Sequence, residues 1–375
     1  MELSYWEKQS YFGHIDLLII GSGIVGLNAA ISFKSNYPKA KVVVAERGLL
    51  PLGASTKNAG FACFGSVSEL SDDLTRINEN TVWETVKLRY TGLKKLKKLV
   101  GEKTIDYCEL GGFEVFDNKH DFEECADLLK TFNTKIQSAI KLKNVYTIVN
   151  KKIASSHLKG FNYCIKNQYE GQINTGKMMQ VLLALAQKKG IIIINGLEVK
   201  KINDDGHHVE THFKNNLIVQ SKYVIVATNG FAKELMPTLD VKPARAQVLV
   251  TSAIKNLKLK GAFHYQKGYY YFRNIDNRIL LGGGRNLDFE KEETTEFGLT
   301  EKVQQRLESL LKENILSGQT YQIEHRWSGI MGIGSEKKPI IKHITKNVVC
   351  AVRMGGMGIA IGSLVGEMAV DELIK

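Results

Sequence analysis

A glycine motif, GSGIVG at residues 21–26, constrains the fold of this chain more than any other feature of its sequence. The apolar run before it, residues 15–20, predicts a buried strand, and the apolar stretch after it, to about residue 35, predicts a helix. A helix N-terminus after a glycine-rich turn offers free N–H groups and a partial positive charge to phosphates. The pattern therefore predicts a βαβ unit that binds a phosphate-containing ligand.

Each glycine of this motif has its own physical role. Gly21 permits the tight turn, Gly23 lets the backbone approach a pyrophosphate, and Gly26 lets the helix pack on the strand. Glu46 directly follows the next predicted strand, residues 41–45, and an acid at that position can accept hydrogen bonds from ribose hydroxyls. Together these features predict dinucleotide binding, and the alternative is a glycine-rich turn in an unrelated α/β protein.

A small, polar and flexible segment, residues 53–61, follows Glu46 closely and could wrap a second part of a dinucleotide. With this segment the chain resembles the D-amino-acid-oxidase-like FAD-dependent oxidoreductases of the glycine oxidase and sarcosine oxidase type. In that family a stretch like residues 53–60 runs past the pyrophosphate and ribityl chain to the flavin. The resemblance implies FAD as the cofactor.

The resemblance covers nearly the whole chain. Residues 171–190 resemble the family's segment that leads into its second half, and residues 224–231 resemble the strand and turn that close over the cofactor. Residues 282–285 resemble its glycine strand near the substrate domain, and residues 353–366 its C-terminal flavin loop. The resemblance implies these cofactor-binding residues: Gly21, Ser22, Gly23, Ile24, Gly26, Glu46, Arg47, Ala54, Ser55, Lys57, Asn58, Ala59, Gly60, Val199, Ala227, Thr228, Gly230, Gly355, Gly356, Met357, Gly358 and Ile359.

The C-terminal loop also has a physical interpretation of its own. Gly355, Gly356 and Gly358 precede a predicted helix, whose N-terminus can place partial positive charge at the pyrimidine edge of a flavin. Reduced flavin carries negative charge at that edge, so the loop would favour electron acceptance. The alternative is an ordinary glycine-rich helix start.

The family's flavin takes a hydride from the carbon next to nitrogen, and the protein mostly orients the substrate. We accordingly expect no catalytic triad and assign no catalytic acid or base. Glycine oxidases of the family bind the substrate carboxylate through an arginine shortly after a Trp-small-Gly sequence, and the matching residue here is Met331. A methionine cannot clamp a carboxylate, so residues 326–332 look more like those of γ-glutamylputrescine oxidase-type amine oxidases.

Strand periodicity supplies further candidates for substrate contact. Alternation would put Tyr269, Tyr271 and Arg273 on one face of a strand, where they could meet the substrate or merely pack. Arg326 could bind an anionic group or pair with an acid. These alternatives stay open at the level of sequence.

The positions of the cysteines and histidines indicate whether the flavin is attached covalently and whether a metal site is expected. Sarcosine oxidases attach flavin through a cysteine in the second half of the chain, but none occurs here between Cys164 and Cys350, so we expect non-covalent FAD. His207, His208 and His212 flank a predicted hairpin turn in a polar stretch, and we expect no metal site there.

Composition and net charge indicate which binding partners and which cellular location to expect. The net charge of +12 could favour nucleic acid, but the lysines are spread along the whole chain, which favours a general lysine bias. The chain has no membrane-spanning apolar run and no apolar signal core at its N-terminus, so we expect a cytoplasmic enzyme. The family resemblance implies that the enzyme would oxidise the C–N bond of a small amine or amino acid to an imine, with oxygen or an electron carrier as the final acceptor. Two alternatives are an FAD-dependent enzyme acting on a modified tRNA nucleoside and a non-catalytic FAD-binding protein.

Strands of parallel type bracket the chain, and mixed segments lie between them, which predicts an α/β fold (α+β overall). We expect a Rossmann-like FAD-binding domain of residues 1–70, 150–240 and 335–375. A mixed-sheet substrate-binding domain, residues 71–149 and 241–334, would be interleaved with it.

Periodicity also places individual elements. It predicts helices at residues 175–189 and about 300–313 and a buried strand at residues 348–352. A hairpin is predicted at residues 199–222 with its turn at residues 204–206, followed by a separate strand at residues 223–227.

Overall fold

The computed structural model describes residues 2–155 and 158–375. Within these residues the helices are α1 Tyr5–Glu7, α2 Ile24–Asn36, α3 Ala54–Lys57, α4 Val67–Leu74, α5 Glu79–Val100, α6 Lys119–Ile140, α7 Asn150–Ser155, α8 Thr175–Lys188, α9 Glu301–Leu310 and α10 Gly358–Ile374. The strands are β1 Ile15–Ile20, β2 Val42–Glu46, β3 Phe61–Ala62, β4 Gly112–Phe116, β5 Tyr146–Ile148, β6 Tyr163–Asn167, β7 Gly171–Gln172, β8 Ile192–Asn195, β9 Val199–Asp204, β10 Val209–Phe213, β11 Ile218–Val226, β12 Lys242–Thr251, β13 Ala262–Tyr265, β14 Tyr270–Ile275, β15 Arg278–Gly283, β16 Ile323–Ile333, β17 Ile340–Thr345 and β18 Val348–Val352. None of the helices described is both long enough and apolar enough to cross a bilayer.

The first sheet is built around β1, which pairs in parallel with β11 on one side and β2 on the other. Strand β8 extends it beyond β2, and β18 pairs in parallel with β11. Helices α2, α8 and α10 cover one face, and the β9–β10 hairpin with residues 232–241 covers the other. Because both faces are covered, the central strands are apolar along their length. The predicted Rossmann-like α/β fold is confirmed.

Glycines allow the helices on this sheet to approach one another closely. A Cβ atom on Gly366 of α10 would lie 2.6 Å from the carbonyl oxygen of Val25 in α2, and one on Gly362 would lie 2.8 Å from the side chain of Ile24. A Cβ atom on Gly92 of α5 would likewise collide with the backbone of α10. This packing holds the first turn of α10 beside the first turn of α2, at the carboxyl edge of the sheet.

The second sheet has the strand order β16-β12-β15-β14-β13-β4-β6-β5 and is antiparallel except where β13 meets β4. One of its faces packs on α9 through apolar side chains. Strand β6 lies within residues 150–240, which the sequence assigned to the first domain, yet it pairs with β4 and β5. An apolar run identifies a strand but not its partner, because pairing depends on residues far away in the chain.

Residues 199–226 form a three-stranded meander, so the prediction of a single hairpin followed by a separate strand was wrong. The turn near Gly206 is present, but a second turn joins β10 to β11. That turn contains neither glycine nor proline, and Asn216 takes its positive φ of 65°. Strand β11 then runs on without a break, pairing first with β10 and next with β1.

Candidate active site

A cleft of about 470 Å³ opens at the carboxyl ends of β1, β2 and β11, where Gly21, Glu46 and Ala227 line it. It extends from there to the second sheet, reaching Tyr271 of β14 and Met331 of β16. Ligand pockets commonly enclose about 300–1,000 Å³, and in open α/β sheets ligands bind outside the carboxyl ends of the strands. Size and position both mark this cleft as the candidate active site.

The glycine motif forms one end of the cleft. Gly21 has a φ of 103°, which a side chain would strain, and a Cβ atom on Gly26 would overlap the carbonyl oxygen of Gly21. A Cβ atom on Gly23 would lie 2.8 Å from the hydroxyl of Ser55, which itself accepts a hydrogen bond from the Ile24 N–H at 2.9 Å. The start of α2 therefore has no side chain in front of it and lies beside the Ser55 hydroxyl, an arrangement suited to a phosphate group.

The carboxylate of Glu46 joins the end of β2 to this motif. One of its oxygens accepts hydrogen bonds from the Ser22 N–H at 3.0 Å and the Ser22 hydroxyl at 2.8 Å, and the other accepts from the Gly48 N–H at 3.0 Å. Glu46 is 5% exposed and still lines the cleft. Its position is suited to a hydroxyl-bearing ligand beside the phosphate cradle.

Most of the residues that the sequence assigned to the cofactor lie along this wall. Gly60 and Gly230 lie behind it, packed against Arg273 and the backbone of Met331, and Ser22 and Gly26 are also outside the lining. The hydroxyl of Thr228 is buried without a hydrogen-bond partner in the described chain, which leaves a polar atom for a ligand. The wall includes Gly21, Gly23, Ile24, Glu46, Arg47, Ala54, Ser55, Lys57, Asn58, Ala59, Val199, Ala227, Thr228, Gly355, Gly356, Met357, Gly358 and Ile359.

The C-terminal loop closes the middle of the cleft. Gly355 and Gly356 adopt positive φ angles of 58° and 81°, and α10 begins at Gly358 with its first turn in the lining. Met331 approaches this loop, since a Cβ atom on Gly356 would lie 3.5 Å from the methionine sulfur. The helix N-terminus therefore faces the cleft at the level of Met331.

An ion-pair network that the sequence analysis missed lies beyond this loop. Lys337 pairs with Glu69 at 2.9 Å and with Asp73 at 2.8 Å, and Arg89 approaches Glu69 at 3.3 Å. Burial alone would raise the pKa of Glu69, but Lys337 and Arg89 outweigh it and lower the pKa to about 2. For Asp73 burial dominates and raises the pKa. No local sequence signal could join residues so distant in the chain.

A polar cluster of Cys63, Glu170 and His264 sits at the far end, with one ligand-type atom of each residue within 4.8 Å of the others. Burial raises the pKa of Cys63 well above its usual value and that of Glu170 to about 7, and it lowers the pKa of His264 to about 4. Glu170 also accepts hydrogen bonds from the N–H groups of Phe64 and Gly65 at 2.8 and 3.0 Å. Backbone donors therefore hold the Glu170 carboxylate, while the Nε2 of His264 has no hydrogen-bond partner in the described chain.

The predicted aromatic strand face is partly in the cleft. Tyr269 and Tyr271 line it, whereas Arg273 lies behind the wall, is 3% exposed and has no hydrogen-bond partner for its Nε. Burial lowers the pKa of Arg273 to about 10. Arg285, which the sequence analysis did not assign to the substrate, lines the cleft beside Tyr269.

Met331 and Arg326, the last two residues predicted to bind the substrate, lie in different places. Met331 lines the cleft. Arg326 instead faces α9, where its guanidinium donates to Gln304 at 2.5 Å and to Glu308 at 2.7 Å. Of the two interpretations left open for Arg326, the pairing with an acid is the one present.

Comparison with known proteins places these features in a family. The profile of the FAD dependent oxidoreductase family (DAO) matches residues 16–372. The bifunctional protein ThiO/ThiG of Trichormus variabilis is 22% identical over 280 residues, which cover 71% of this chain and 39% of that protein, so the chain spans less than half of that relative's length. The probable oxidoreductase OrdL of Haemophilus influenzae is 18% identical, over 96% of this chain and 83% of that protein. The solved glycine oxidase of Geobacillus kaustophilus superposes with a TM-score of 0.76 at 18% identity, covering 96% of this chain and 95% of that one, which shows a shared fold.

Proposed function

The chain belongs to the DAO family of FAD-dependent oxidoreductases, and from this premise we propose that it oxidises the C–N bond of a small amine or amino acid. The observation that carries the proposal is the continuity of one cleft, from the phosphate cradle at Gly23 to a pocket lined by His264 and Tyr271. Bound FAD would supply the two-electron oxidation. The chain's own residues would hold the cofactor and orient the substrate.

The first sheet would carry the cofactor. The glycine motif and Ser55 would receive the pyrophosphate, Glu46 would accept from ribose hydroxyls, and Val199 would lie on the adenine side. The N-terminus of α10 would face the pyrimidine edge of the flavin. Cys63 lines the cleft, but burial raises the pKa of its thiol well above the usual value, so the thiolate needed for a covalent bond is scarce. We propose a non-covalent cofactor for this reason.

The second sheet would orient the substrate. The ring of Phe61 lies edge to face with the ring of His264 at 5.3 Å between centroids and with that of Tyr271 at 5.5 Å. These rings would exclude water from the reacting nitrogen. Burial lowers the pKa of His264 to about 4, so its ring is neutral at pH 7, and its Nε2 has no hydrogen-bond partner among the described residues. A neutral imidazole at the cleft adds no positive charge that would repel an amine.

An anaerobic panel tests the proposal. Primary amines, N-methyl amino acids, α-amino acids and γ-glutamyl amines would each be mixed with the FAD-loaded protein, and loss of the visible flavin band would identify the substrate class. Reduction by dithionite serves as the control that the flavin can be reduced. If dithionite bleaches the flavin and every amine fails, C–N oxidation is wrong. If air reoxidises the reduced flavin, the enzyme is an oxidase. If only an added quinone reoxidises it, the enzyme is a dehydrogenase.

A further inference from the structure

We propose that Arg285 binds an anionic group of the substrate, so that the amine carries a carboxylate several bonds away from its reacting nitrogen. This inference rests on the proposed function and deepens it. Arg285 follows the end of β15 and lines the cleft. It supplies a cation in the short 3-10 turn after β15, whereas Met331 lies on β16.

The charges along the cleft leave Arg285 without an acidic partner. Lining cations that pair with acids are Arg47 with Glu234, Arg76 and Lys267 with Asp72, and Lys337 with Glu69 and Asp73. Among the lining residues in the described chain, Lys57 and Arg285 have no such ion pair. Lys57 ends α3 beside β16, with its ammonium 5.2 Å from the ring centroid of Phe297, whereas Arg285 is the free cation beside Tyr269.

The side chains that flank Arg285 are aromatic. Its guanidinium lies 5.5 Å from the ring centroid of Tyr269 and 5.0 Å from that of Phe289. Tyr271 lines the same wall, and neither its hydroxyl nor that of Tyr269 bonds to any residue that the structure describes. One guanidinium and two phenol groups without an acceptor are suited to an anion that supplies the acceptor oxygens.

Strand order sets the distance of this cation from Met331. Strand β12 separates β15 from β16, and its Gln247 pairs with Gly283 on one side and Ser328 on the other. Neighbouring strands lie about 4.8 Å apart, so β15 and β16 are roughly 10 Å apart. The side chain of Arg285 also leans toward Tyr269, away from β16. A carboxylate bound there would lie farther from a substrate centred at Met331 than an α-carboxylate can reach.

Binding of a simple anion tests the site directly. Acetate would be titrated into the FAD-loaded enzyme at constant ionic strength, with the flavin absorbance as the readout and neutral acetamide as the matched ligand. We expect acetate to perturb the spectrum and acetamide to fail. Arg285→Gln should weaken acetate binding about ten- to a hundred-fold, because a charge-assisted bidentate contact is lost. Arg285→Lys keeps the charge and should give a smaller loss.

Arg278→Gln is the control variant, since Arg278 begins β15, is only half-buried and pairs with Glu324 at 2.8 Å. It should leave acetate binding unchanged. Unchanged acetate affinity in Arg285→Gln, with FAD still bound, would overturn the proposal. If Arg285→Gln loses FAD, Arg285→Lys decides: weaker acetate binding with an intact flavin spectrum supports the site, and equal binding overturns it.

Flavin reduction by two matched amines tests this inference separately from the proposed function. 5-Aminopentanoate should reduce the flavin faster than pentylamine, and that advantage should vanish in Arg285→Gln. Equal rates for the two amines in the wild type would reject the anion site and leave amine oxidation standing. If no amine reduces the flavin but acetate binding still depends on Arg285, amine oxidation is rejected and the anion site remains.

Discussion

The backbone N–H and the hydroxyl of Ser22 donate to the same carboxylate oxygen of Glu46, at 3.0 and 2.8 Å. The second carboxylate oxygen accepts from the Gly48 N–H. These bonds join the turn after β1 to the end of β2 and hold an acceptor at the cleft. A small set of buried hydrogen bonds therefore determines where the carboxylate lies.

Glu46→Gln should lower both stability and FAD affinity. An amide NH2 in place of one oxygen meets the donors of Ser22 or Gly48, and a buried donor left without an acceptor costs about 1–3 kcal/mol. Thermal unfolding of the apoprotein and fluorescence titration with FAD measure the two effects. Glu313→Gln, at an exposed position without an ion pair in the described chain, is the control. Wild-type FAD affinity in Glu46→Gln would contradict the ribose role.

Gly23→Val should abolish tight FAD binding while much of the fold persists. The new side chain would start 2.8 Å from the Ser55 hydroxyl and fill the space in front of the α2 N-terminus. Gly176→Val, in the first turn of α8 and outside the cleft lining, is the matched substitution. Circular dichroism and FAD titration of both variants provide the comparison. Unaltered FAD affinity in Gly23→Val would make the motif purely structural.

The purified protein should be yellow and release its cofactor intact on heat or acid denaturation. The expected cofactor is FAD rather than FMN, because FMN has neither the pyrophosphate that the glycine motif would hold nor the adenosine ribose that Glu46 would bind. Chromatography of the supernatant identifies the flavin. Colour that stays with the precipitate would show a covalent bond and point to Cys63, which lines the cleft.

Met331→Arg should shift preference toward small α-amino acids. A carboxylate buried next to Met331 lacks a cationic partner there, and an arginine could contribute roughly 1.5–3 kcal/mol, or about ten- to a hundred-fold. The ratio of kcat/KM for N-methylglycine to that for ethylamine measures the shift. A wild-type enzyme already efficient on glycine would contradict the expectation, as would a folded, FAD-loaded variant with an unchanged ratio.

Glu69 should make the protein sensitive to acid. Its pKa of about 2 in the folded state lies below the usual 4.5, so the unfolded chain binds more protons between these values, and stability falls as the pH drops from 4.5 toward 2. The contribution is about 3 kcal/mol. Glu69→Gln should be less stable at pH 7 but show a shallower loss between pH 5 and pH 3 in urea unfolding. Glu290→Gln, an exposed control, should keep the wild-type slope, and an equal slope in Glu69→Gln would refute the assignment.

Local features of the chain could be predicted because their causes are local. The turn at Gly21, the helix that begins at Ile24 and the buried strand before them depend on backbone freedom and apolar periodicity within a few residues. The same holds for the strand at residues 348–352 and for the glycine loop before α10. These features were sufficient to predict the α/β fold and the family.

Contacts between distant segments could not be predicted in this way. Lys337 meets Glu69, β6 joins the second sheet, and Arg326 turns to α9 while Arg285 enters the cleft. Each outcome depends on which strand pairs with which, and on which charges that pairing leaves without a partner. The sequence by itself determined the cofactor fold and its phosphate cradle. Only the tertiary structure decided which charged side chains line the cleft, because burial and ion pairing arise from residues brought together by folding.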